Sequence, residues 1–303
     1  MRLRSEIQRE ASIDELLEHE AVEHDEDYAG KYAFGSPTLK FSRDYAWQVN
    51  DHVYKKGTYI RGFLKRRLFE VLDLNNLAGK KVLDAGCGNG QHAVFLAMYG
   101  ARVSGFDLSP VGVKMAEAMA EANGVSDLCE FGIANISELP YDDEEFDLIV
   151  HNAVLHHMLK YPNVREETFR VLKPGGRVII VEGIRENPIY RGARTIKDFI
   201  TRNELDLGDV DLEMKDILEF TQGFTEVHFE RRCLVEGIKE GIGRYYSNGR
   251  LTRGILYVAK RTDDVLLKLF PGLEKYCTEI VAWMRKPSVA DCNKAVGNNS
   301  SDL

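Results

Sequence analysis

The chain has 303 residues, 44% of them hydrophobic, enough for one α/β core with additions and too few for two independent large domains. Its 48 acidic and 40 basic side chains leave a net charge of −8, the wrong sign for gripping a phosphate backbone, which counts against a nucleic-acid partner. The five cysteines, Cys87, Cys129, Cys233, Cys277 and Cys292, follow neither zinc-ligand nor C-x-x-C spacing, so reduced thiols and no metal are expected. MRLRSEIQRE has no apolar signal core, and no stretch reaches the ~20 apolar residues of a membrane span; a cytoplasmic protein is the expectation.

Ser12 to His24 is acidic with a thin apolar stripe (Ile13, Leu16, Leu17, Val22), a helix that can dock on its own core or on a second subunit. From Tyr28 to Tyr59 the chain is dense in aromatics. Such an arm can close as a lid, with Tyr28 and Tyr32 against a substrate, or simply cover a sheet edge. Tyr59 to Leu74 reads as an amphipathic helix whose polar side carries Lys65, Arg66 and Arg67, next to Lys55, Lys56 and Arg61. A solvated face is the first reading of that charge, and an anionic substrate or membrane surface the minority one.

Lys81 to Gln91, KVLDAGCGNGQ, is the centre of the chain: a short strand running into a turn with Gly86, Gly88 and Gly90, then a helix, His92 to Met98. Side chains of hydrogen alone let a ligand press on the backbone, and the helix's first amides point back at it. Pyrophosphate cofactors favour G-x-G-x-x-G; here Gln91 takes the third position, which speaks against NAD and a dehydrogenase. Ala101 to Phe106 is a second strand ending on Asp107, where a carboxylate can accept both hydroxyls of a ribose, or cap the helix starting near Pro110. A helix over Val111 to Asn123, a third strand over Leu128 to Ile133 and a fourth, apolar strand over Phe146 to His151 follow. Val164 to Leu172 reads as a helix, Lys173 to Gly176 as a turn, and Arg177 to Glu182 as the fifth strand. Beyond it, Asn187 to Gln222 holds two helix-like pieces, Phe224 to Arg232 alternates like an edge strand, Val265 to Phe270 is an apolar helix and Glu279 to Arg285 the last strand.

VLDAGCGNGQ, GFDLS, ISELPYDDEEFDLIV, VLHH and VLKPGGRVIIVE, in that order, resemble the class I S-adenosylmethionine-dependent methyltransferases. They are most similar to the branch of ubiquinone and menaquinone biosynthesis and of small-molecule natural-product enzymes. The resemblance implies an α/β fold with a Rossmann-like seven-stranded sheet, mostly parallel with an antiparallel last strand, and helices on both faces. It implies a helical and aromatic arm over 1–58 that can also mediate a homo-oligomer, a core over 59–287 with substrate covers near 187–222 and 237–276, and a polar tail over 288–303 expected to be disordered. It implies S-adenosyl-L-methionine as cofactor, held by Asp84, Gly86, Cys87, Gly88 and Gly90 toward its methionyl part. Asp107 and Leu108 would lie at the ribose, Asn135 and Ile136 at the adenine, and Asn152 near the methionine amine. Where the family usually has aspartate, Asn135 offers a neutral acceptor.

A small-molecule acceptor is expected, with O-methylation of a secondary metabolite or lipid or glycolipid precursor first, carbon methylation of a terpenoid or quinone second, and a non-catalytic cofactor-binding module as the reading of another class. His156 and His157 are the candidate bases for a hydroxyl acceptor, set against histidines that merely start a helix. His151, inside a strand, is read as structural, and His92 as a helix cap. Glu182 is read as facing the acceptor or, more readily, as the ion-pair partner of Arg185.

Overall fold

The computed structural model describes residues 13–33, 62–192, 211–238, 250–288 and 290–291. A helix, α1 (Ile13–Ala33), comes first, and α2 (Gly62–Leu72) leads into the sheet. The chain then alternates β1 (Lys81–Ala85), α3 (Gln91–Ala97), β2 (Arg102–Asp107), α4 (Pro110–Ala122), β3 (Cys129–Ile133) and β4 (Phe146–Asn152). The one-turn α5 (Leu155–Met158), α6 (Val164–Val171), β5 (Leu172–Gly183), α7 (Met214–Phe220), β6 (Thr225–Arg232), α8 (Arg250–Leu269) and β7 (Glu279–Arg285) complete it.

The sheet order is β3-β2-β1-β4-β5-β7-β6, parallel from β3 to β5, with β7 antiparallel to both of its neighbours. Both faces are covered, and strand periodicity shows why. In β5, Val178 and Ile180 belong to one buried cluster with Ile217 and Phe220 of α7, while Ile179 and Val181 belong to the other with Leu68, Phe95 and Met119 from α2, α3 and α4. Each such fully buried aliphatic side chain contributes roughly 1.5 to 3 kcal/mol over an exposed one. The strand order reverses between β1 and β4, and at such a switch point the carboxyl ends of the strands open a crevice.

The fold agrees with the expected architecture, and Glu279–Arg285 is the predicted last strand. Three local readings are corrected. The first helix runs to Ala33 rather than ending at His24. The KPGG segment, expected as a turn, lies within β5, with Gly175 at φ 78° and a register shift against β4 where the segment bulges. The tail expected to be disordered from Ser288 begins with an ordered turn, in which Ser288 N donates to Asp291 at 2.8 Å and Arg285 pairs with Asp291 at 3.0 Å. Residues 292–303, most of the aromatic arm (34–61) and the centres of both expected covers (193–210 and 239–249) lie outside the described residues. So do Lys55, Lys56 and Arg61 of the basic run. Arg67 is not a solvated charge: it pairs with Glu230 at 2.6 Å and Glu70 at 2.9 Å and lies over the Trp283 ring, clamping α2 to the β6–β7 edge.

Candidate active site

Four strand ends supply the crevice: Gly86 after β1, Asp107 at the end of β2, Asn152 at the end of β4 and Glu182 near the end of β5. The glycine turn needs its glycines. Gly86, Gly88 and Gly90 stand at φ 64°, 53° and 75°, and a Cβ on Gly86 would sit 2.1 Å from Val154 Cγ2. A Cβ on Gly90 would meet Ala116 at 2.5 Å, so this glycine lets α3 and α4 come together. Cys87, buried in the turn, has its thiol pushed well up, by burial first and then by the nearby Asp84 and Asp107 carboxylates.

Asp107 accepts from Gly88 N at 2.8 Å and Ser109 N at 2.9 Å, so its carboxylate braces the turn. It does not cap α4; Ser109 does, its hydroxyl accepting from Gly112 N at 2.9 Å. Asp84 is 2% exposed in β1 and accepts from the amide of Ala93; its Oδ2 is buried with no bond from any described residue. Burial, seconded by the Asp107 charge, raises its pKa from 3.8 to about 7. Asn135 accepts from Ser137 N at 3.0 Å through Oδ1, and buried Ile136 lies beside it. Asn152 Nδ2 is 2.6 Å from His92 Nδ1, so His92, expected as a cap, instead holds the Asn152 amide because α3 lies over the end of β4.

The histidine pair divides. Glu182, 1% exposed, accepts from Leu155 N at 2.6 Å on Oε1, and its Oε2 is 2.9 Å from His156 Nδ1. The expected Glu182–Arg185 pair is not formed: Arg185 bonds Asp211 at 2.5 Å, while both Glu182 carboxylate oxygens are engaged by Leu155 N and His156. His157 faces α1 instead, with Nδ1 3.2 Å from Glu20 Oε1 and its ring 5.0 Å from that of His24. His151 is structural as expected: fully buried in β4, it meets the Thr168 hydroxyl at 3.3 Å, and burial lowers its pKa to about 4.

Residues that sequence reasoning missed sit on α1, which docks on its own core. Buried Glu20 takes the Lys160 ammonium at 2.7 Å and the Tyr161 hydroxyl; His24 lies 3.9 Å from Asp107; Asp25 accepts from the Ser109 hydroxyl and from Val111 N. Burial alone would raise the Glu20 pKa, but His157, Lys160 and Tyr161 outweigh it and hold the carboxyl below its ordinary value. Burial alone would lower the His24 pKa, but Asp107, Glu20 and Glu23 hold it above. The readable signal was Glu20 and His24 at i, i+4, which share one helical face. Tyr28 and Tyr32 lie on the same helix, and their side chains are outside the described part. Between α1 and the crevice remains a cavity of about 30 Å³ lined by His24, Gly86, Asp107, Asn135, His157 and Tyr161, among others. That is room for about two waters beneath α1.

The profile of a family described as a methyltransferase domain matches residues 76–222. A ubiquinone biosynthesis O-methyltransferase of Pseudomonas syringae pv. tomato is 31% identical over 174 residues, 51% of this chain and 74% of the relative. The chain belongs to the class I S-adenosylmethionine-dependent methyltransferases. Among other relatives, the phthiotriol/phenolphthiotriol dimycocerosates methyltransferase of Mycobacterium leprae is 34% identical over 105 residues, 34% of this chain and 37% of the relative. For three of the curated relatives the matched stretch spans 42%, 37% and 31% of the relative's length. The fold is shared with a geranyl diphosphate C-methyltransferase from Streptomyces coelicolor A3(2), TM-score 0.56 at 16% identity, over 91% of this chain and all of that one.

The crevice fits the cofactor of this family on its own chemistry. A buried carboxylate oxygen without a partner suits an ammonium group, and the positive-φ glycine turn suits backbone approach.

Proposed function

We propose that this methyltransferase moves a methyl group from S-adenosylmethionine to a hydroxyl of a small, largely apolar acceptor, a secondary metabolite or lipid precursor. The observation that carries the choice of oxygen is the His156–Glu182 pair at 2.9 Å. A buried carboxylate that accepts from Nδ1–H fixes the imidazole tautomer and leaves Nε2 as a proton acceptor, the arrangement a hydroxyl nucleophile needs. The apolar class of acceptor is supported by the relatives named for ubiquinone biosynthesis and for phthiotriol dimycocerosates.

When bound, the cofactor supplies a methyl group already activated for in-line displacement. In this reading Asp84 takes the amine end and Asn152 lies beside it, Asp107 and Leu108 lie at the ribose, and Asn135 and Ile136 at the base. His156 removes the acceptor's proton as the new carbon–oxygen bond forms, and Glu182 is its positioning residue. His157 with Glu20, Lys160 and Tyr161 holds α1 over the crevice, which excludes water as a competing nucleophile.

The test is calorimetry with S-adenosylmethionine, followed by transfer of radiolabelled methyl to a panel of long-chain phenols and secondary alcohols. His156→Ala should cut kcat about 10²- to 10⁴-fold with cofactor affinity retained, and Glu182→Gln should change the pH profile of kcat. Cofactor binding with no transfer to any hydroxyl, or full activity in His156→Ala, would overturn the proposal.

A further inference from the structure

Among the described residues, helix α8 is held to the core along one side. Its Asp263, 4% exposed, accepts from Leu234 N at 2.9 Å, Val235 N at 2.7 Å and Glu236 N at 3.1 Å, and Ala259 packs inward beside it. On a different side Ile255, Val258, Val265 and Leu269 are 41%, 62%, 56% and 64% exposed, and their spacing of 3, 7 and 4 puts them in one stripe along the helix. Phe270, 57% exposed, continues the stripe past the helix end. Exposed Arg261 and Lys268 flank it on one side, whereas Lys260 lies on the opposite face; Arg261 lies over the Tyr257 ring and 3.8 Å from Asp264.

The charge of this helix is opposite to that of the chain. Arg250–Leu269 carries five basic residues against two carboxylates, one of them the inward Asp263, whereas the whole chain has a net charge of −8. An apolar stripe with a cationic flank complements an anionic lipid interface. A second copy of the same helix is a poorer match, since it would set cations against cations.

The helix also stands at the end of the sheet where the crevice opens. It is tied to 234–236 at the end of β6 and packs on the turn Pro271–Tyr276, which feeds β7. Glu279, the first residue of β7, pairs with Gly183, next to Glu182.

We infer that α8 is a docking helix that lies in the headgroup layer of anionic bilayers and places the His156–Glu182 crevice beside acceptors dissolved in that layer. This rests on the apolar-acceptor reading above. The test is co-sedimentation of the full chain with vesicles of phosphatidylcholine alone or with phosphatidylglycerol added, at about 0.05 M and about 0.5 M salt. Expected is binding to the anionic vesicles, at least about tenfold weaker on neutral vesicles or in high salt. Val258→Ser combined with Leu269→Ser should weaken binding by about tenfold, and Arg261→Gln with Lys268→Gln should remove the preference for anionic lipid. All four positions face solvent, so circular dichroism and cofactor calorimetry should match the parent. No vesicle binding overturns the inference. So does a dimer in size-exclusion chromatography that the serine substitutions dissociate, which would make the stripe a self-interface. Cofactor binding without vesicle binding sinks this inference alone; vesicle binding without cofactor binding sinks the catalytic reading.

Discussion

Replacing Asp84 with asparagine exposes a conflict between stability and binding that the structure builds into β1. Burial raises this carboxyl from 3.8 to about 7, so over that range the folded chain binds a proton that the unfolded chain has lost. Its contribution to stability is therefore whole below 3.8 and is lost as pH rises through about 7. Between about pH 5.5 and about pH 8.5 the change spans about 1.5 pH units at 1.36 kcal/mol each, or about 2 kcal/mol. Urea unfolding of the parent should lose about that much over this interval relative to Asp84→Asn, which does not titrate there. Calorimetry should show the reverse order. The variant binds S-adenosylmethionine about ten- to a hundredfold more weakly, the worth of a charge-assisted hydrogen bond, while parent affinity rises as pH passes 7. Parallel stability curves for the two proteins, or equal affinity at high pH, would refute the reasoning.

Gly86→Ala should abolish cofactor binding and cost at least about 1 to 3 kcal/mol in thermal unfolding, because it combines a φ of 64° with a 2.1 Å approach to Val154. Glu20→Gln removes a buried partner from Lys160 and should weaken the seating of α1 by about 3 kcal/mol. Hydrogen exchange should quicken in Ile13–Ala33 and stay unchanged in β1, β4 and β5, and cofactor association should become faster. Because Glu20 titrates below its ordinary 4.5, its hold on α1 is whole above that pH and weakens as the solution is acidified past it. Uniformly faster exchange across the sheet would instead mark Glu20 as a global stability residue.

Much of the sheet was legible because its signals are local. A strand covered on both faces reads as an apolar run, as in Phe146–Asn152, and a turn that requires positive φ reads as glycine, as at Gly86 and Gly90. α1 was half-read. Its acidic composition leaves only a thin apolar stripe, and what fixes it is polar: Glu20 to Lys160 and Tyr161, Asp25 to Ser109, partners more than eighty residues away.

By itself, then, the sequence determined the glycine turn after the first strand, since its need for positive φ is written in Gly86, Gly88 and Gly90 alone. Only the tertiary structure decided which acid serves which base. Arg185 is three residues from Glu182 and His156 is twenty-six away, yet β4 and β5 lie side by side in the sheet and bring the distant pair to 2.9 Å. Hydrogen bonds form between neighbours in space, and in a parallel sheet those neighbours come from different strands, a whole crossover apart along the chain.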